Sequence, residues 1–497
     1  MTDLFSAYEI QVSGAKIPAY FIESTAPDDI DEPATNQTVP DKTVKIDADD
    51  AIERIVHHLI AFENPTIVVD VHGYNNPRQI ILENYGKSFE SVKRDAAING
   101  HDVVCIGYRW PSEHIGAPFS TAFKAAPWFL IVLFVVGVIL SAGAFLAPIL
   151  PQILRITIGG LGAFALTVAF TLFLLRIVVY FRDGYRATSY GVPDLVEVIR
   201  QIDKQLADKD GRRNQVELSF IAHSMGAYVV TSVVRILSDV FTPDSIKPRL
   251  NMGVAASSKP ADESAVSPNI GNVFRLMRLV LVSPDIPAEA LISNRANFLA
   301  ASLHRFQEAF LFSNEGDEVL RQISTTVNYF SFPTRSRKFG YRLGNVGVLV
   351  ENYGISAVVD LHNLRIGYMT LRHLYDKLDK LGSVHLQDDL PKLFSYFDCT
   401  DCVDEAEPGA GMKGMLTLAR PGLENKMGPF QHFRLLYLYL RKGSPNVHAG
   451  YFESPFLRQL IYRLVCIGRH NTVQAYGGQI QLNNECRQHQ IKAVLKS

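Results

Sequence analysis

The sequence predicts an α/β protein: a doubly wound, mostly parallel sheet into which a two-helix membrane hairpin is inserted. Three observations carry that expectation. Short apolar runs alternate with helically spaced segments along much of the chain, the pattern of strand–helix–strand units. One such unit, residues 216–237, passes from strand to helix through a tight turn with a serine at its apex. Residues 125–154 and 156–175 contain no charged side chain, and a membrane-spanning helix needs about 20 apolar residues.

Taken in order, residues 8–12 and 17–22 alternate in part and predict a β-hairpin or two edge strands. Residues 25–46, rich in Asp, Pro and Thr, predict a loop. Residues 47–62 carry helical spacing at Ile52, Ile55, Val56, Leu59 and Ile60, and Asp47, Asp49 and Asp50 suit the start of a helix. Residues 66–71 read as a buried strand, 78–98 as a helix and 102–107 as a third strand. Beyond the uncharged runs, 191–206 is an amphipathic helix and 216–221 a strand. Residues 242–272 read as a surface excursion, and 277–283 and 308–313 as strands. Residues 361–381 look helical, 393–398 could be the last strand, and 403–429 are loop-like. An apolar helix at 456–467 and a polar tail close the chain, and there is no internal repeat.

Bulk properties narrow the class. With 497 residues the chain could hold several domains or one elaborated domain. A net charge of −1 gives no basic excess for nucleic acid. Mean hydropathy is slightly positive, and the two uncharged runs explain much of it. Five scattered cysteines, Cys105, Cys399, Cys402, Cys466 and Cys486, argue against a disulfide framework and for a reducing compartment. Cys399-x-x-Cys402 stands without a second pair, short of the four ligands of a structural zinc. Neither a metal nor a cofactor is expected. The N-terminus shows no basic region followed by an apolar run, so no signal peptide is expected. The basic cluster Arg335, Arg337, Lys338 and Arg342 reads as a solvated face.

The chemistry concentrates where strands end. Ala222-His223-Ser224-Met225-Gly226 closes the 216–221 strand and opens a helix. This is the context of a nucleophile elbow, in which the residues two before and two after the serine must be small; Ala222 and Gly226 are. The turn also sets Ser224 at a helix N-terminus, whose free amides can stabilise an oxyanion. The 66–71 strand runs into His72-Gly73-Tyr74-Asn75-Asn76, where Gly73 would let the backbone come close. The amides of Tyr74 and Met225 are the candidate oxyanion donors. Asp285 and Asp317 follow two further strands, so either could be the acid that orients a base. The base must be a later histidine. His448 lies in a loop just before the last long helix and is the candidate; His362, His373, His385 and His432 are rivals, and His223 would point away if the elbow forms.

These motifs resemble the bacterial α/β-hydrolases of unknown function that carry a Val-His-Gly-Tyr-Asn loop. The matching residues are Val71-His-Gly-Tyr-Asn75, Trp110-Pro-Ser112, the Tyr180/Asp183/Ala187 spacing, Ala222-His-Ser-Met-Gly226, Ser283-Pro-Asp-Ile286, Ser313 to Asp317, and His448-Ala-Gly-Tyr-Phe452. That family typically reads Gly-His-Ser-Tyr-Phe at the last site, where this chain has Val447 before and Ala449-Gly450 after the histidine. The resemblance implies an α/β-hydrolase fold with Ser224 as nucleophile, Asp317 as acid and His448 as base. It spans roughly 60–120, 180–320 and 390–465, and leaves out 125–175 and 320–390.

The expected division is therefore an N-terminal part of the hydrolase domain at 1–124, a transmembrane hairpin at 125–176, a central part with the elbow at 177–319, an insertion or cap at 320–392, and a C-terminal part with the histidine at 393–497. Tyr74 and Ser224 fall on either side of the hairpin, so both flanks must emerge on one membrane face. Lys124, Arg176, Arg182 and Arg186 flank the hairpin against a lone Arg155 in its turn, which places the domain on the cytoplasmic side of the inner membrane. The expectation is a multi-pass, membrane-anchored serine hydrolase acting on an ester, with the bilayer and a small-molecule or lipid ester as partners and no nucleic acid. A thioesterase or amidase would use the same residues, and a catalytically silent membrane scaffold is the alternative from another class.

Overall fold

The structure is a computed structural model that describes residues 4–11, 17–26, 43–74, 76, 78–112, 180, 183–211, 215–238, 268–287, 302–324, 342–346, 355–360, 365–370, 393–405, 409, 411–419 and 427–496. The hairpin expected at 125–176 lies outside them. Among the described residues no helix is long and apolar enough to cross a membrane.

Fifteen strands are described. They are β1 (Phe5–Ile10), β2 (Ala19–Ser24), β3 (Thr43–Ile46), β4 (Thr66–Val71), β5 (Val103–Arg109), β6 (Val216–His223), β7 (Asn269–Ile270), β8 (Phe274–Val282), β9 (Glu308–Ser313), β10 (Ile355–Asp360), β11 (Arg365–Thr370), β12 (Phe394–Asp398), β13 (Val403–Asp404), β14 (Lys413–Gly414) and β15 (Lys492–Val494). The main sheet runs β15-β12-β9-β8-β6-β4-β5-β2-β1-β3, with β7 beside β8. From β12 to β2 every neighbouring pair is parallel; β15, β7, β1 and β3 pair antiparallel. The mostly parallel doubly wound sheet is thus present.

Burial explains the central strands. β4, β5 and β12 are buried at every residue, and a strand covered on both faces reads as a continuous apolar run rather than an alternation. Helices α1 (Ala48–Ala61), α3 (Val192–Asp210) and α4 (Gly226–Leu237) cover one face; α2 (Arg78–Arg94) and α6 (Pro455–Ala475) cover the other. α5 (Pro429–Lys442) precedes α6, and α7 (Gln479–Gln488) follows it. Asp47 caps α1 by accepting from the Asp49 amide, as its acidic start predicts. α6 breaks at Gly468, whose φ of 76° no other residue type adopts cheaply. Arg278 fills that break, donating to the carbonyls of Val465 and Cys466.

Several expectations are corrected. Residues 43–46 lie within the expected 25–46 loop but form β3, the edge strand beyond β1. β1 and β2 do pair as a hairpin, yet β2 also pairs with β5 and is no edge. Within the helix expected over 361–381, Arg365–Thr370 is a strand paired with β10, and the rest of that span lies outside the described residues. Ile366, Tyr368 and Thr370 favour a strand, and Gly367 weakens a helix. The tail is not merely polar: it contributes α7 and then β15, which extends the sheet past β12. Arg342, read as part of a solvated basic face, is buried against Asp285.

Strand order places the site. β4 has β5 on one side and β6 on the other, so the chain reverses its winding there, and such a switch point leaves a crevice at the carboxyl ends of the strands. Register aligns Val71 with Ala222, His223 with Val282, and Val282 with Phe312. Gly73, Ser224, Asp285 and Asp317 therefore lie just past one edge.

Candidate active site

Ser224 sits between β6 and α4 with φ at 54°, a left-handed conformation for a residue that has a Cβ. Outside glycine such backbone costs about 1–2 kcal/mol. The surroundings hold it there: the Ser224 amide donates to the Val282 carbonyl at 3.0 Å, and its own carbonyl accepts from Asp285 and Ala227. Small neighbours are a steric requirement. A Cβ on Gly226 would stand 2.3 Å from the Val71 carbonyl oxygen, and one on Gly73 would stand 2.6 Å from the Ser224 Cβ. Gly73→Ala is accordingly expected to displace Ser224 and lower kcat/KM of any Ser224-dependent reaction by about 100-fold, the usual consequence of a misplacement near 1 Å. Kinetics beside a thermal melt would separate this from unfolding.

The Ser224 hydroxyl lies 2.8 Å from His448 Nε2, and His448 Nδ1 lies 2.7 Å from Asp317 Oδ2. All three side chains are buried. Asp317 is held at both oxygens. Oδ1 accepts from the amides of Val319 and Leu320; Oδ2 accepts from Ser283 Oγ and from His448. Burial pulls the His448 imidazole down, but the charge and hydrogen bond of Asp317, with the more distant Asp285, outweigh it and raise His448 above its ordinary value.

The loop carrying His448 is fixed by residues to which the sequence assigned no supporting role. Asn314 Nδ2 donates to the Val447 carbonyl at 2.7 Å, and His223 Nε2 donates to the His448 carbonyl at 3.0 Å. Burial and the neighbouring His448 hold His223 down to about 3, so it is a neutral donor. Asn345 donates to the carbonyls of Asn314 and Glu315, on the segment that leads to Asp317. No short motif marks Asn345, which lies in the stretch expected to be an insertion or cap.

The other candidates are placed as follows. Asp285 faces Tyr180, whose hydroxyl donates to it at 2.5 Å, together with Arg342 at 2.8 Å and Ser324. It makes no hydrogen bond to His448 among the described residues. His432, on α5, pairs with Glu318 at 2.6 Å and accepts from Arg321. His362, His373 and His385 lie outside the described residues. Met225 and Tyr74 flank Ser224, and among the described residues neither amide donates to another group. The Gly73 carbonyl accepts from His72 Nδ1 at 2.5 Å and from Asn76 Nδ2 at 3.2 Å. A trans peptide sets its N–H opposite its C=O, so these bonds also orient the Tyr74 amide. Burial beside Arg109 holds His72 down to about 3, which keeps it neutral with Nε2 free to accept from Trp110.

A cavity of ≈ 960 Å³ opens beside this cluster, bordered by Tyr74, His223, His448, Tyr439, Phe452 and Asp70. Burial raises the Asp70 carboxyl to about 7 although Tyr462 donates to it. Its lining is thus both aromatic and polar.

Neither the curated proteins nor the solved structures contain a match to this chain. Residues 175–376 match the model of a family described as alpha/beta hydrolase of unknown function (DUF900). The matched stretch is less than half of the 497-residue chain. It contains Ser224, Asp285 and Asp317, stops short of Tyr74 and His448 on either side, and takes in residues 320–376, which the motif resemblance left out. The matched family and the mixed, mostly parallel sheet together support an α/β-hydrolase of unknown function.

Proposed function

We propose that the protein is a membrane-anchored serine hydrolase that cleaves an ester through an acyl-enzyme. Ser224 attacks the carbonyl while His448 takes its proton; Asp317 holds the His448 tautomer and stabilises the imidazolium. The amides of Tyr74 and Met225 receive the oxyanion. His448 then protonates the leaving alcohol, and water repeats the sequence to release the acid.

The observation that carries this reading is the continuous hydrogen-bonded chain Ser224–His448–Asp317 at the strained strand-to-helix turn. Anchoring is supported by the uncharged runs 125–154 and 156–175, and the cytoplasmic orientation by the cations flanking them. A lipid or acyl ester fits an anchored enzyme.

A fluorophosphonate probe on the full chain in membranes is expected to label one residue, located by peptide mass analysis at Ser224. No labelling would favour a silent scaffold. A panel of esters, thioesters and amides of graded chain length then assigns the substrate class. Protease added to inverted inner-membrane vesicles is expected to digest the hydrolase domain; protection there would reverse the orientation.

A further inference from the structure

Helix α5 carries an apolar stripe on its outer side. Phe430, Phe433, Tyr437 and Leu440 are 76%, 68%, 48% and 56% exposed. At 100° per residue these four positions fall within an arc of about 80°. A lone exposed apolar residue needs no explanation, but a contiguous row of large ones marks a contact surface.

The opposite side of α5 is tied to the candidate active site. His432 bonds to Glu318, the neighbour of Asp317, and Leu435 is buried. Tyr439 borders the cavity beside His448, and the loop bearing His448 follows α5 directly. The helix contains Arg434, Arg441 and Lys442 and no acidic residue. Arg441 lies over the Tyr437 ring at 5.8 Å, so a cation borders the apolar stripe itself. Apolar aromatics on one side with cations beside them are the make-up of a helix lying in a membrane interface, and the cations complement anionic headgroups. Outside the described residues the same chain holds the two uncharged runs 125–154 and 156–175, whose proposed insertion would make a bilayer the nearest apolar phase.

We propose that α5 docks on the surface of an anionic lipid bilayer through Phe430, Phe433, Tyr437 and Leu440, bringing the cavity beside His448 to the membrane. This deepens the proposed function and rests on its membrane part alone, not on the chemistry of Ser224.

The test uses the full chain with Phe433→Cys carrying an environment-sensitive fluorophore, reconstituted into vesicles of phosphatidylcholine with phosphatidylglycerol. All five native cysteines are buried, which favours labelling at the new site. Expected are blue-shifted emission, strong quenching by brominated acyl chains, little quenching by aqueous iodide, and weaker lipid quenching on pure phosphatidylcholine. Ile480→Cys on α7, 80% exposed in the parent chain, is expected to remain open to iodide. Iodide quenching at position 433 would overturn the proposal. So would shielding from both quenchers, which would mean a second copy or another part of the chain covers the stripe, and so would equal lipid quenching at both positions. Alkaline carbonate extraction of the same vesicles tests the anchoring hairpin separately.

Discussion

Ser224→Ala is expected to lower kcat by about 10⁴- to 10⁶-fold and to abolish fluorophosphonate labelling. Its effect on stability tests the elbow independently. Alanine keeps the left-handed strain at φ 54° and removes the hydroxyl that His448 Nε2 faces. Ser224→Gly removes the same hydroxyl but adopts that φ freely. The loss at His448 is common to both variants, so their difference isolates the strain. Glycine should therefore be the more stable by about 1 kcal/mol, against the usual order in which glycine is worse than alanine by about 0.5–1 kcal/mol. Denaturant midpoints of the two variants measure this. An alanine variant as stable as the glycine one would mean the turn stores no strain, and labelling that survives in either variant would remove Ser224 as nucleophile.

How much of this was legible beforehand depends on whether a feature is local. β4, β6, β8 and β9 are mostly apolar runs that end in Ser or reach Gly or Ser within two residues, so their positions and their site-bearing ends can be read from neighbouring residues alone. The Asp47 cap is equally local. β3 and β15 are short and half-exposed, and only pairing with β1 and β12 makes them strands. Arg342 looked like a surface cation because three other cations stand near it in sequence, whereas its partner Asp285 is distant along the chain. The same limit applies at the site. Small residues around Ser224 are a local steric signature; His223, Asn314 and Asn345 support His448 through space by way of backbone carbonyls, and although His223 and Asn314 lie in motifs, that role leaves no pattern in sequence. Asp285 and Asp317 were equivalent by order, each following a strand. What separates them in the structure is that Tyr180, Ser324 and Arg342 engage Asp285, while Asp317 faces His448.

That difference gives the second large effect. Asp317→Asn is expected to lower kcat by about 10⁴-fold with the fold retained. The asparagine oxygen can still accept from the Val319 and Leu320 amides, which leaves its NH₂ group toward Ser283 and His448. An amide donating to His448 Nδ1 forces the proton onto Nε2, and Nε2 can then no longer accept from Ser224. The pH profile carries an independent signature. Since Asp317 raises His448 above the ordinary histidine value near 6.5, wild-type kcat/KM should fall on acidification through a pKa above 6.5, as the protonated imidazole cannot take the serine proton. With Asp317 neutral, burial prevails and the residual activity should lose that limb to lower pH. By linkage, the stability His448 gains from its charged pairing is full below its unfolded pKa and fades as pH rises through the raised folded one. Asp285→Asn should keep kcat within about tenfold, because Asp285 acts on His448 only at a distance; its larger consequence is the broken buried pair with Arg342, a loss of about 3–5 kcal/mol in stability. Melting curves and pH profiles of the two variants decide between the carboxylates: a folded Asp285→Asn protein as inactive as Asp317→Asn would reassign the acid.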